Sequence, residues 1–174
     1  MVRNHPNNKT SERVAGTRND IPAEVRQKAI MLLNEQLADM LDLYSQTKQA
    51  HWNVKGANFI AVHEFFDDLA ESVEEFIDNI AERATALDGF AMGTTRMAAA
   101  NTRLAEYPTD LIDSEKHLAT LAERYAAVCS TTRKAIEASD GFGDAGTADL
   151  FTGISRDMDK HLWMIESHLQ ASEH

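Results

Sequence analysis

The sequence has a single cysteine and no long hydrophobic run among its 174 residues. One cysteine, Cys129, excludes an internal disulfide framework and a zinc site built from thiolates, and its helical pattern predicts a small core residue. No apolar stretch approaches the roughly 20 residues that span a bilayer, so we expect no membrane partner. The first residues carry charge with no hydrophobic segment after it, so we expect no secretory signal and a cytoplasmic location.

Basic residues are scarce as well, and the net charge is −11. The exception is the stretch 1–19, where four cations (Arg3, Lys9, Arg13 and Arg18) and one anion (Glu12) give +3, which leaves −14 for the remainder. This polar stretch lacks apolar periodicity and predicts a flexible basic N-terminal arm, followed by one folded domain over 20–174. An acidic body of this kind attracts cations and repels polyanions.

Apolar residues recur with a helical period in four segments, at about 21–51, 59–87, 111–138 and 147–169. Turn residues at 53–58 separate the first segment from the second, and a glycine-rich stretch at 141–146 separates the third from the fourth. The middle pair is joined by a long link, 89–108, in which a short helix fits near 97–104. The pattern predicts an all-α, ferritin-like four-helix bundle whose long crossover, between the second and third long helices, carries a short helix.

The second long helix carries four potential metal ligands on one face, namely His63, Asp67, Asp78 and Glu82. At about 100° per residue, they fall within an arc of about 100°. Imidazole nitrogen with carboxylate oxygen suits Fe(II) or Zn(II) better than Ca(II) or Mg(II). The face predicts a transition-metal site, although a solvated acidic face would show the same spacing.

These ligands cannot meet at one metal within one chain, because Asp67 and Asp78 are eleven residues apart, or roughly 16 Å along a helix. An antiparallel copy of the helix, across a two-fold axis near Ser72 and Val73, would bring the first pair opposite the partner's second pair. Two equivalent sites would result, roughly 22 Å apart. His51, at the end of the first helix, adds a third ligand if the turn folds that helix back.

A ferritin site within one subunit is not favoured by this sequence. Such sites use a Glu-x-x-His pattern on two helices, and no glutamate here is followed by histidine three residues later.

Several segments resemble the Dps (DNA-protection-during-starvation) family of mini-ferritins. The first signature covers HWNVKG at 51–56, His63 and Asp67, and the second covers IDNIAER at 77–83. The resemblance continues through Tyr-Pro at 107–108 and SRDMDKHLW at 155–163, and it extends over 17–166.

This resemblance implies a dodecameric shell that oxidises Fe(II), usually with hydrogen peroxide rather than O2, and stores the ferric product. It implies that His51, His63 and Asp67 of one subunit share iron with Asp78 and Glu82 of the two-fold mate, as both metal ligands and catalytic residues. Zn2+, Co2+ or Mn2+ could occupy the same ligands. Lys48 and Trp52 are candidates for the surroundings of the site, Trp52 also as a radical acceptor.

The resemblance also implies acidic three-fold pores for ion entry, for which Asp140, Asp144 and Asp149 are the candidates; capping of the following helix would explain the same residues. The other helical histidines, His117, His161 and His168, are expected to be structural or on the surface.

DNA binding is the second activity that the resemblance suggests, with Arg3, Lys9, Arg13 and Arg18 as candidate contacts. So few arm charges on an acidic body predict either weak, salt-sensitive, non-specific binding with nucleoid association, or none. Two alternatives to a ferroxidase shell therefore stay open: a DNA-binding protein that acts by physical shielding, and a helical bundle with no metal role.

Overall fold

The chain forms four long helices and one short one in a computed structural model that describes residues 16–56 and 58–170. The helices are α1 (Ala23–Asn53), α2 (Phe59–Ala86), α3 (Thr95–Asn101), α4 (Ser114–Gly141) and α5 (Ala145–Gln170). No strand occurs in these described residues. The all-α bundle with a short helix in its long link, predicted from periodicity, is confirmed.

Two antiparallel hairpins, α1 with α2 and α4 with α5, make up the bundle. The turn between α1 and α2 needs left-handed backbone at Gly56 (φ 118°) and Asn58 (φ 62°), which these two residue types adopt most readily. The amide of Lys55 donates to the carbonyl of Ile112, 2.9 Å away, and ties this turn to the segment before α4.

The link between α2 and α4 crosses the full length of the bundle along α1. It starts beside the N-terminal end of α1, where Arg26 donates to the carbonyl of Leu87. It ends beside the C-terminal half of α1, where the side-chain amide of Gln46 donates to the carbonyl of Ala105. Gly89 permits the close start of this path, since a Cβ there would lie 2.7 Å from a carbon of Ile30.

The apolar stripes of the four long helices meet in one core. Its largest fully buried side chains include Leu33, Phe66, Leu121, Tyr125 and Phe151. Cys129 is fully buried in the same cluster, as its position in a helical pattern predicted. Burial of these stripes is the main stabilising contribution to the bundle.

Side-chain caps shift two helix boundaries from their predicted places. The carboxylate of Asp113 accepts from the amides of Glu115 and Lys116, so α4 begins at Ser114 rather than near 111. The stretch 141–146, predicted to be a loop, shrinks to 142–144, because α4 continues through Gly141 and Asp144 caps an early start of α5.

No helix within the described ranges is both long and apolar enough to cross a membrane.

Candidate metal centre

His51 and His63 face each other across the turn between α1 and α2, and each is held by the other's backbone. His51 Nδ1 donates to the carbonyl of His63 at 2.8 Å, and His63 Nδ1 donates to the carbonyl of His51 at 2.9 Å. The rings are stacked, with centroids 3.8 Å apart.

These reciprocal bonds settle the tautomer of both rings. A carbonyl oxygen can only accept, so Nδ1 is the protonated nitrogen and Nε2 keeps its lone pair. Metal-ligating histidines are oriented in the same way, with one nitrogen donating to a carbonyl and the other free for the metal. Sequence spacing identified both histidines but could not show this backbone coupling.

Asp67 lies beside the two rings, one helical turn after His63. Its Oδ1 is 3.9 Å from His51 Nε2 and 2.5 Å from the ammonium of Lys48. The hydrogen bond from Lys48 lowers the pKa of Asp67, so the carboxylate stays ionised. Lys48, predicted to lie near the site, therefore contacts one of the proposed ligands directly.

Trp52 lies on the open side of this cluster, and its side chain is 67% exposed. Its ring centroid is 6.0 Å from the Lys48 nitrogen, within the range of a cation–π contact. Two more large apolar side chains are exposed nearby, Phe59 at 37% and Ile60 at 59%. The Phe59 ring also contacts His63, with centroids 5.1 Å apart.

Asp78 and Glu82 are exposed on the same helix but further along it. They lie about eleven residues from the first pair, which is roughly 16 Å of helix rise. Within the described residues, no group of three or more histidine, cysteine or acidic side chains of one chain is placed to hold a metal. One subunit thus carries two separate sets of candidate ligands along α2.

Asp144 was a candidate for lining a pore, but its side chain is buried between α2 and α5. It accepts from Arg83 at 2.7 Å and from the amide and hydroxyl of Thr147 at 3.0 and 2.5 Å. Only 2% of Asp144 is exposed, so it caps α5 and anchors Arg83 rather than facing a water-filled channel. Asp140 and Asp149, by contrast, are exposed.

Three of the four candidate DNA contacts (Arg3, Lys9 and Arg13) lie outside the described residues, and Arg18 is exposed. The division into an arm and a folded domain remains a prediction.

Two of the histidines expected to be structural or on the surface, His117 and His161, are buried, and His168 is exposed. His117 is hydrogen-bonded to Tyr107, a contact that the spacing of the sequence did not indicate.

The bundle, its crossover and its face of nitrogen and carboxylate ligands define a ferritin-like protein, and a ferritin-like domain family matches residues 30–173. A DNA protection during starvation protein from Agrobacterium fabrum is 47% identical over 154 residues, 88% of this chain and 95% of the relative. The chain belongs to the Dps family.

Solved structures agree with this assignment. Dps from Mycobacterium smegmatis has a TM-score of 0.84 at 30% identity and covers 90% of this chain and 94% of its own. A Dps protein from Vibrio cholerae, described as a member of the ferritin-like diiron-carboxylate superfamily, has a TM-score of 0.82 at 27% identity. It covers 89% of this chain and 98% of its own.

Proposed function

We propose that this protein oxidises Fe(II) at sites shared between two subunits. The supporting observation is the His51–His63 pair, in which two imidazoles present free Nε2 atoms beside the ionised carboxylate of Asp67. The partner subunit's Asp78 and Glu82 would complete each site. Two nitrogens and three carboxylates suit Fe(II), and the carboxylates favour the Fe(III) that forms.

Pairing of subunits through this face is favoured by the surface around the ligands. Trp52, Phe59 and Ile60 expose apolar area next to the histidines, and contiguous exposed apolar area commonly marks an interface. A two-fold axis between antiparallel copies of α2 would bury this area and join the separated sets of ligands at the same time.

The chemistry at each shared site would start when Fe(II) enters as substrate. Lys48 already holds a positive charge against Asp67, so the position favours a cation, and Fe(II) would displace the ammonium. Protein ligands from two subunits would still leave coordination positions open for the oxidant. We propose hydrogen peroxide as the preferred oxidant, with O2 as the slower one, and iron as the metal at ligands that also accept zinc, cobalt or manganese.

The wider function follows from this reaction if the subunits form a dodecameric shell in the cytoplasm. The Dps family and the diiron-carboxylate relative support iron storage inside such a shell. Consumption of Fe(II) together with peroxide would protect DNA, because the two reagents otherwise form hydroxyl radicals. The exposed Asp140 and Asp149 are the remaining candidates for guiding cations inward.

The test is anaerobic addition of Fe(II) to the purified protein, then hydrogen peroxide, with Fe(III) absorbance followed in time. We expect rapid oxidation in the wild type and at least a tenfold slower reaction in His51→Ala/His63→Ala, because the Nε2 ligands are lost. His168→Ala, which removes an exposed histidine outside the site, is the matched control and should keep the wild-type rate. Equal, slow oxidation in all three proteins would refute the proposal.

A further inference from the structure

Tyr107 and His117 form a buried pair where the crossover meets the start of α4. The phenol oxygen of Tyr107 is 2.7 Å from Nδ1 of His117, and the two rings are nearly parallel, at 15°. Tyr107 is 9% exposed and His117 is 1% exposed. Burial raises the pKa of Tyr107 and lowers the pKa of His117, so the pair consists of a neutral phenol and a neutral imidazole.

This pair contacts α2 at the residue that precedes one of the proposed iron ligands. The ring of Phe66 is fully buried and meets the ring of His117 at 67°, with centroids 6.4 Å apart. Phe66 precedes Asp67 directly in α2. The connection therefore runs from Asp67 along the α2 backbone to Phe66, and from the Phe66 ring to His117 and Tyr107.

We infer that Tyr107 and His117 act as a proton-coupled electron donor to peroxide reduction at the shared site, an assignment that rests on the proposed function. Hydrogen peroxide needs two electrons for reduction to water, and one Fe(II) supplies one of them. Tyr107 supplies the other when a site holds too little iron.

The step consumes one Fe(II) and one hydrogen peroxide and oxidises one Tyr107. The O–H bond of Tyr107 breaks, its proton moves to Nδ1 of His117, and its electron reaches the peroxide. The peroxide O–O bond breaks, and two water molecules form with one further proton from solvent and the proton that His117 later releases. The products are one Fe(III), two waters and the neutral phenoxyl radical of Tyr107.

Other aromatic side chains are less suited to this role. Tyr125 is fully buried, but its hydroxyl lies 3.2 Å from the hydroxyl of Thr47, which is too weak a base to take a phenol proton. Trp52 lies beside the ammonium of Lys48, and a positive charge there opposes formation of an indole radical cation.

The test is freeze-quench electron paramagnetic resonance on the assembled protein, loaded with less than one Fe(II) per site and mixed with hydrogen peroxide. Fe(III) is measured in parallel by absorbance, and ring-deuterated tyrosine identifies the tyrosyl signal by its narrowed lines. We expect a tyrosyl radical in the wild type, loss of that signal in Tyr107→Phe and retention in Tyr125→Phe. His117→Gln keeps the phenol but lacks the base, and should lower the radical yield at least fivefold.

Formation of Fe(III) without a tyrosyl radical in the wild type, or an undiminished radical in Tyr107→Phe or His117→Gln, would overturn the inference and leave the ferroxidase proposal intact. Loss of the signal in Tyr125→Phe alone would assign the donor to Tyr125 and overturn it as well. Absence of rapid Fe(III) formation in the wild type would refute both proposals. If Tyr107→Phe fails to assemble, His117→Gln and Tyr125→Phe decide the question.

Discussion

His161 is a single residue that makes the fold sensitive to acid. It is 9% exposed, packs against the rings of Phe76 and Tyr125, and has no hydrogen-bond partner for Nδ1 among the described residues. Burial lowers the pKa of His161, and Lys160 lowers it further, while Asp157 acts in the opposite direction. The folded protein thus favours the neutral imidazole.

A histidine whose pKa is lower in the folded state makes its full contribution to stability above the unfolded pKa, about 6.5. That contribution is lost as the pH falls from this value through the lower folded pKa. The folded state then binds fewer protons than the unfolded state, so stability decreases toward acid. We predict that the thermal unfolding midpoint falls less between pH 7.5 and pH 5.5 in His161→Phe than in the wild type. Part of the decrease should remain in His161→Phe, because His117 is also buried and its pKa is also lowered.

The matched control is His168→Phe, which replaces an exposed histidine on the same helix. Its pH dependence should equal that of the wild type at the same protein concentration. If the unfolding midpoint of His161→Phe fell with pH as much as that of the wild type, burial of this imidazole would not couple folding to proton binding.

Spacing alone identified the metal-ligand candidates at this scale, because helical periodicity fixes which side chains share a face. It could not identify the partners of Asp144. Arg83 is distant from it in sequence, and Thr147 contacts it through the cap of α5. A carboxylate before a helix is compatible with a cap, a pore or an ion pair, and only tertiary packing distinguishes them.

Among the elements, the crossover depends on an ion pair with α1 in which the carboxylate is buried and the Arg103 side chain is 40% exposed. The carboxylate of Asp39 is fully buried and accepts from the Nε, Nη2 and backbone amide of Arg103, at 2.9, 2.7 and 2.8 Å. This contact fixes the segment that follows α3 against the middle of α1. A buried carboxylate that loses its partner is strongly destabilising.

We predict that Arg103→Ala lowers the free energy of unfolding by roughly 2–4 kcal/mol, since Asp39 keeps only the backbone bond. Arg133→Ala is the control, because the Arg133–Asp159 pair is half-exposed on both sides; exposed pairs of this kind contribute at most about 1 kcal/mol. Urea unfolding midpoints of the three proteins provide the measurement. Equal losses of unfolding free energy in Arg103→Ala and Arg133→Ala would contradict the anchoring role of Asp39.

The number and type of the helices could be predicted from periodicity, whereas their ends could not. α1 begins at Ala23 and not near 21, and α3 covers Thr95–Asn101 rather than 97–104. Ends depend on single hydrogen bonds, such as that from the amide of Met97 to the Thr94 hydroxyl, which a repeating apolar pattern does not encode.

On the scale of the whole molecule, one chain carries the proposed metal ligands in two separate places. His63 and Asp67 lie near the start of α2 beside His51 at the end of α1, and Asp78 and Glu82 begin about three turns further along α2. We propose that each site combines the first set of one subunit with the second set of its mate. Twofold symmetry then makes a specific prediction for mixed dimers.

The most direct measurement mixes two inactive variants, His63→Ala and Asp78→Ala, by joint unfolding and reassembly. In a mixed dimer both substitutions lie in one shared site, and the other site has a complete set of ligands. We expect the mixture to recover rapid peroxide-driven Fe(II) oxidation that neither variant shows alone, with up to half of the sites active in each mixed dimer. A mixture that stays as inactive as its components, despite assembly of mixed dimers, would contradict a shared site.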